Sequence, residues 1–199
     1  LRVAAIGPPR SPDATFVDNP LARLDPLRRA LGAGGVLADQ IPQLLTLAPF
    51  SCDYSFAAVD PGTPLYAWGG LALLIAAAGA GLALTRGKGT PEGWGILFFL
   101  VSWGVTSNIV MPIGTARADR LQYMPLLGIA VLASAGVSRI LPGNVRNRWL
   151  AALACIVIAW LGVASVRRVP DWHDDIRLWK SAVRVEPANV KARTNLGML

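Results

Sequence analysis

Residues 65–85 read LYAWGGLALLIAAAGAGLALT and carry no charged side chain. Hydrocarbon offers a backbone no water to bond, so a run of this length closes its own hydrogen bonds as a membrane-crossing helix. Further runs follow at 94–113, WGILFFLVSWGVTSNIVMPI, at 123–138, and at 149–166, WLAALACIVIAWLGVASV. The first of these has a polar patch at Ser107 and Asn108. The second is short unless Tyr123 starts it at the interface. A weaker stretch, 30–49, is interrupted by Asp39, Gln40 and Gln43. It either spans while lining a polar cavity or forms a re-entrant or interfacial helix. The expected fold is all-α, a polytopic membrane helix bundle with four or five membrane segments.

Composition excludes the ordinary soluble alternative: hydrophobic residues make up 53%, charged residues 16%, and the mean hydropathy is +0.46. The net charge of +7 sits in short Lys and Arg clusters between apolar runs, without a basic stripe interleaved with aromatics, so no nucleic-acid partner is expected. Cys52 and Cys155 offer neither metal-ligand spacing nor a disulfide framework, and no metal site is expected from these residues. The chain opens at Leu1 without a signal-peptide pattern and stops inside a helical pattern, which reads as a fragment of a longer protein.

Arg86 and Lys88 follow one span, and Arg139, Arg146 and Arg148 follow another. The positive-inside rule makes both loops cytoplasmic, and Arg28 and Arg29 fit if the weak segment spans. The opposite face then receives SCDYSFAAVDPGTP, the turn GTARADRLQYMPLLG (114–128) and the C-terminal tail; Arg167 and Arg168 dissent. The tail is amphipathic and soluble in character. Pro187, Ala182, Trp179 and Gly197 fall at offsets that match the 34-residue period of tetratricopeptide repeats, with Asp175 where a small residue is usual. The expected boundary sets a membrane domain at 1–169 and the start of a repeat solenoid at 170–199.

There is no phosphate-binding P-loop, dinucleotide fingerprint or nucleophile elbow. His173, in PDWHDD, reads as part of a helix start capped by Asp171. Asp53 and Tyr54 follow a membrane segment, as a plain interfacial anchor or as groups facing a sugar or cation. The charged turn is more telling. Arg117 and Arg120 flank Asp119, and Tyr123 follows. Guanidinium forks suit phosphate, and Asp119 could hold one arginine in place. The bland alternative is arginines snorkelling to headgroups beside an aromatic anchor. Positive-inside bias disfavours that on the outer face.

Several stretches, in this order, resemble one family: FVDNPLA (16–22), LAPFSCDYSF (47–56), SNIVMPIGTARADRLQYMPLLG (107–128) and DWHDDIRLWKSAVRVEPANVKARTNLG (171–197). They are similar to the transmembrane and tetratricopeptide-repeat-containing (TMTC) protein O-mannosyltransferases of the GT-C superfamily. Where those carry Glu-Arg and Tyr-Leu-Pro with a small residue, this chain has Asp119-Arg120, Tyr123-Met124-Pro125 and Leu126. The resemblance implies part of a GT-C module and an enzyme that transfers sugar from a polyprenyl- or dolichyl-phosphate donor to protein Ser/Thr hydroxyls. Donor-phosphate binding falls to Arg117, Asp119, Arg120 and Tyr123, and the cavity wall to Asp53, Tyr54 and Asn108. The catalytic acidic residue, with any divalent cation it binds, is expected in an outer loop ahead of this fragment, and the cofactor is otherwise unknown. The repeats are expected to present acceptor proteins. Ala-, Gly- and Arg-rich composition leans towards a bacterial inner membrane with periplasmic repeats, the alternative being an endoplasmic reticulum membrane with lumenal repeats. The rival functions are a lipid-linked oligosaccharide polymerase or ligase and a non-enzymatic membrane-anchored repeat scaffold.

Overall fold

The computed structural model describes residues 19–46, 50–54, 64–140 and 143–199, with 44–46, 64–66 and 143–146 as helix backbone. Of the resembling stretches, residues 16–18, 47–49 and 55–56 lie outside the described residues. The α-helices are α1 (Pro26–Thr46), α2 (Pro64–Thr85), α3 (Pro91–Thr106), α4 (Tyr123–Ile140), α5 (Gly143–Arg168), α6 (Asp175–Val185) and α7 (Val190–Gly197). Among the described residues, three stretches are long and apolar enough to cross a membrane: Ala67–Thr85, Asp119–Ile140 and Asn147–Trp172. Among the described residues there is no strand, only an isolated antiparallel bridge between Tyr54 and Arg117.

Small residues set the helix crossings, as they do where lipid gives helices no hydrophobic reason to associate. A Cβ on Gly34 of α1 would lie 2.7 Å from Leu71 N of α2, and one on Gly70 would overlap the Gly34 carbonyl oxygen. In the same way, a Cβ on Gly128 of α4 would stand 2.6 Å from the Gly95 carbonyl of α3. Around the first crossing, Ala33 and Leu37 form a buried cluster with Leu74 and Trp103. Gln40 accepts from Trp103 Nε1 at 3.1 Å, so a polar side chain inside this cluster has its partner. Thr90 caps α3 through Gly93 N, and the Glu92–Arg139 pair at 2.6 Å ties the start of α3 to the end of α4.

The span expected at 94–113 is shorter than its apolar run. Helix α3 stops at Thr106, and Asn108 turns the chain with φ of 65°, a left-handed conformation that asparagine tolerates better than most residues. The weak segment also has a distinctive course. Asn19 donates to Asn108 Oδ1 and to the Ile113 carbonyl, both at 2.7 Å, while Tyr54 N donates to the Arg117 carbonyl at 3.0 Å. The stretch containing α1 therefore leaves from and returns to one loop, 107–118.

Beyond α5 comes a 3-10 turn, Val169–Trp172, and then the helix pair α6–α7. The cap differs from expectation. Asp174, with extended backbone, accepts from Arg177 N at 2.7 Å and starts α6. Asp171 lies back in the 3-10 turn and pairs with Arg168 instead. Ala182 of α6 and Ala192 of α7 pack on Cys52, joining this pair to the loop end of the bundle.

Candidate functional site

The loop 107–120 is built around Asn108. Its Oδ1 accepts from Asn19 Nδ2 and, at 2.8 Å, from Ile113 N; its Nδ2 donates to the Thr115 and Ala116 carbonyls at 3.2 and 3.3 Å. The side chain is fully buried. With both ends engaged in this way, Asn108 ties the loop together.

That loop delivers Arg117 to Tyr54. The Thr115 hydroxyl donates to the Arg117 carbonyl at 3.0 Å, and the guanidinium carbon lies 4.2 Å from the centre of the Tyr54 ring. Arg117 is only 6% exposed, and its Nη1 is 3.9 Å from Asp39 Oδ2 of α1, a loose pair. Its Nε is buried and has no hydrogen-bond partner among the described residues. A buried guanidinium N–H without an acceptor is costly and calls for a ligand or another explanation.

Asp119 and Arg120 open a 3-10 turn, Asp119–Gln122. Asp119, expected to hold one arginine in place, is engaged by hydrogen bonds from other groups. The Asp119 carboxylate accepts from Ser51 N and from the Tyr54 hydroxyl, which in turn accepts from Gln43 Nε2 at 3.0 Å. Arg120 instead donates to the Cys52 carbonyl at 2.9 Å, with its side chain exposed. Neighbours in sequence point apart on such a turn, so Asp119 serves the Tyr54–Arg117 layer and Cys52 holds Arg120. Burial, with the Asp119 charge adding to it, pushes the Tyr54 hydroxyl up to about 12, so it remains a donor at physiological pH.

Tyr123 is not brought to this cluster: it starts α4 and is 77% exposed. Asp53 is buried beside it all, but its partner comes from the far end of the chain. Its Oδ2 is 3.1 Å from Lys191 Nζ, and its backbone carbonyl accepts from Asn189 Nδ2 at 2.9 Å. Burial raises the Asp53 carboxyl above its usual range, with Lys191 opposing. Arg168 donates to Ser181 at 3.2 Å, next to the Ala182 that covers Cys52. Ser51, Gln43, Asn189, Lys191 and Arg168 escaped sequence reasoning as site partners. Only the dissenting arginines and the polar interruptions of 30–49 gave any sign of them.

Comparison with known proteins returns relatives of one kind. The chain is 35% identical over 92 residues to the protein O-mannosyl-transferase Tmtc2 of Drosophila melanogaster, covering 46% of this chain and 10% of the relative. It is 28% identical to Tmtc3 of the same organism over 94% of this chain and 21% of the relative. It is 26% identical to TMTC4 of Homo sapiens over 52% of this chain and 14% of the relative. The chain thus spans about a tenth to a fifth of their length. No family model matches. No solved structure matches either. In sequence the chain is TMTC-like, similar at 26–35% identity to these protein O-mannosyl-transferases.

Proposed function

We propose that the chain is part of a GT-C-type membrane glycosyltransferase that moves a mannose-like sugar from a polyprenyl or dolichyl phosphate to protein Ser/Thr hydroxyls at the outer or lumenal face. The observation that carries this reading is Arg117, a buried arginine whose Nε has no acceptor among the described residues, beside exposed Arg120 in a chain whose relatives are named protein O-mannosyl-transferases. In the transfer, the acceptor oxygen bonds to the anomeric carbon as that carbon's bond to the phosphate oxygen breaks. The lipid phosphate leaves with the bonding pair, and the hydroxyl proton goes to a carboxylate other than Asp53 and Asp119.

Arg117 and Arg120 stabilise the charge that grows on the departing phosphate. Asp119 acts at one remove, by fixing Ser51 and Tyr54, and Tyr54 seats the Arg117 guanidinium. Preorganised donors of this kind are each worth about 10²- to 10³-fold in rate. The helices α6 and α7 begin a repeat surface that presents the acceptor protein.

The test is mannose transfer from dolichyl phosphate mannose to an acceptor protein by the full-length enzyme in native membranes. Arg117→Gln and Arg120→Gln should each lower the rate by about 10²-fold. Wild-type transfer by correctly inserted Arg117→Gln protein would sink the assignment.

A further inference from the structure

The tail enters the site from more than a hundred residues away. Asn189, fully buried, uses both ends of its amide: Oδ1 accepts from Ala192 N at 2.8 Å to cap α7, and Nδ2 donates to the Asp53 carbonyl. Two residues on, Lys191 Nζ reaches Asp53 Oδ2 at 3.1 Å and the Gly114 carbonyl at 3.2 Å. The first turn of α7 therefore grips both sides of the Tyr54–Arg117 bridge: segment 51–54 through Asp53, and loop 107–118 through Gly114. Cys52, packed on Ala182 and Ala192, adds an apolar contact under the same segment.

This grip is mostly electrostatic. The Asp53 side chain is 2% exposed and that of Lys191 16%, so removing the ammonium would strand a buried carboxylate. The charged and polar groups acting on Asp53 are Lys191, Thr115 and Arg120, and Lys191 is the strongest. The stranded charge is relieved by a proton on Asp53 or by movement of segment 51–54, and either one releases that segment from the Lys191 ion pair. Tyr54 lies next in that segment and carries both the bridge to Arg117 and the ring beneath its guanidinium.

We propose that Lys191 and Asn189 are positioning residues of the phosphate site, holding Asp53 so that Tyr54 seats Arg117. This makes the first turn of α7 a working part of the membrane site. It rests on the reading of Arg117 as a phosphate ligand. The consequence is that repeat docking and donor binding are linked: what shifts α7 shifts the affinity for a lipid phosphate.

The experiment titrates dolichyl phosphate into full-length protein in phosphatidylcholine nanodiscs, with melting temperature recorded for each variant. Lys191→Met and Asn189→Ala should weaken binding by about tenfold, the lower end of what loss of a supporting partner costs in affinity. Lys191→Arg should stay close to wild type. The Asp53→Asn/Lys191→Met double variant, which leaves no stranded charge, should recover most of the loss, and Asn189→Ala, which keeps the ion pair, stands in for Lys191→Met if that fails to fold. Arg117→Gln is the control for the underlying reading. Wild-type binding by Lys191→Met with weakened Arg117→Gln overturns the positioning role alone. Wild-type binding by Arg117→Gln overturns the phosphate reading, and the positioning role with it. Loss in Lys191→Met that neither Lys191→Arg nor the double variant recovers makes the lysine a packing residue and also overturns the proposal.

Discussion

The junction of 50–54, 107–120 and the start of α7 differs from α5 in what holds it in place. In the junction, side chains and backbone groups distant in sequence meet in directed bonds: Asn19 with Asn108, Tyr54 with Arg117, Asp119 with Ser51, Lys191 with Asp53. Along α5, Ile156, Ile158 and Val163 are exposed, and the candidate span has none of its central window buried within the chain. Hydrocarbon satisfies apolar side chains equally well in many arrangements, whereas polar groups beside a bilayer need named partners. The contrast therefore separates a region with one required geometry from one whose geometry the surroundings decide.

Several substitutions would break or sharpen that contrast, and stability in micelles by denaturant or thermal unfolding reads them. The largest effect is expected at the helix crossing that carries the junction. Gly70→Val places carbon where the Gly34 carbonyl stands and should cost about 3 kcal/mol, whereas Gly162→Val, with open space around its Cβ position, should change little. Next comes Asn108→Ala, which removes the loop's central bonds and leaves an alanine at positive φ; a loss of about 2–3 kcal/mol is expected. Equal losses for Gly70→Val and Gly162→Val would erase the distinction between the regions.

A pH experiment sharpens the inner layer. The Tyr54 hydroxyl titrates at about 12 against an ordinary 10.0, so folding favours its protonated form. That stability is fully present below pH 10 and is lost as pH rises towards 12, on the order of 2 kcal/mol. Tyr54→Phe should flatten this alkaline loss while lowering neutral-pH stability by about 1 kcal/mol for the hydroxyl's bonds to Gln43 and Asp119. The smallest effect is expected on α5, where exposed Ile158→Leu should stay within about 0.5 kcal/mol.

What the sequence made legible follows the same division. Charge-free runs disclose helices because hydrocarbon admits few other structures, so α2 and α4 match their expected runs to within two residues, while α5 extends its run by six residues at the start and two at the end. The arginines of GTARADR were conspicuous because charge is costly there. Their partners were not. Asp119 and Arg120 are neighbours in the chain, and adjacency suggested a pair, yet the 3-10 turn sends one to Ser51 and Tyr54 and the other to a backbone carbonyl. Backbone groups such as Ser51 N and Cys52 O leave no mark in a residue string. Lys191 sits in a short polar helix, where a lysine reads as part of a solvated face. Asn108 looked like a polar residue near the end of a span, and only its left-handed backbone discloses that it ends the helix and ties the loop.

The most direct measurement of the central claim, that 107–120 is a built site, is amide hydrogen exchange on the full-length protein in nanodiscs. The amides of Ser51, Tyr54 and Asp119 donate across this junction, and that of Ile113 donates to Asn108 within the loop. They should exchange as slowly as those inside α3 and α4, and Lys191→Met should speed Tyr54 selectively. Fast exchange at these four amides in the wild-type protein, like that of an unstructured loop, would contradict the account.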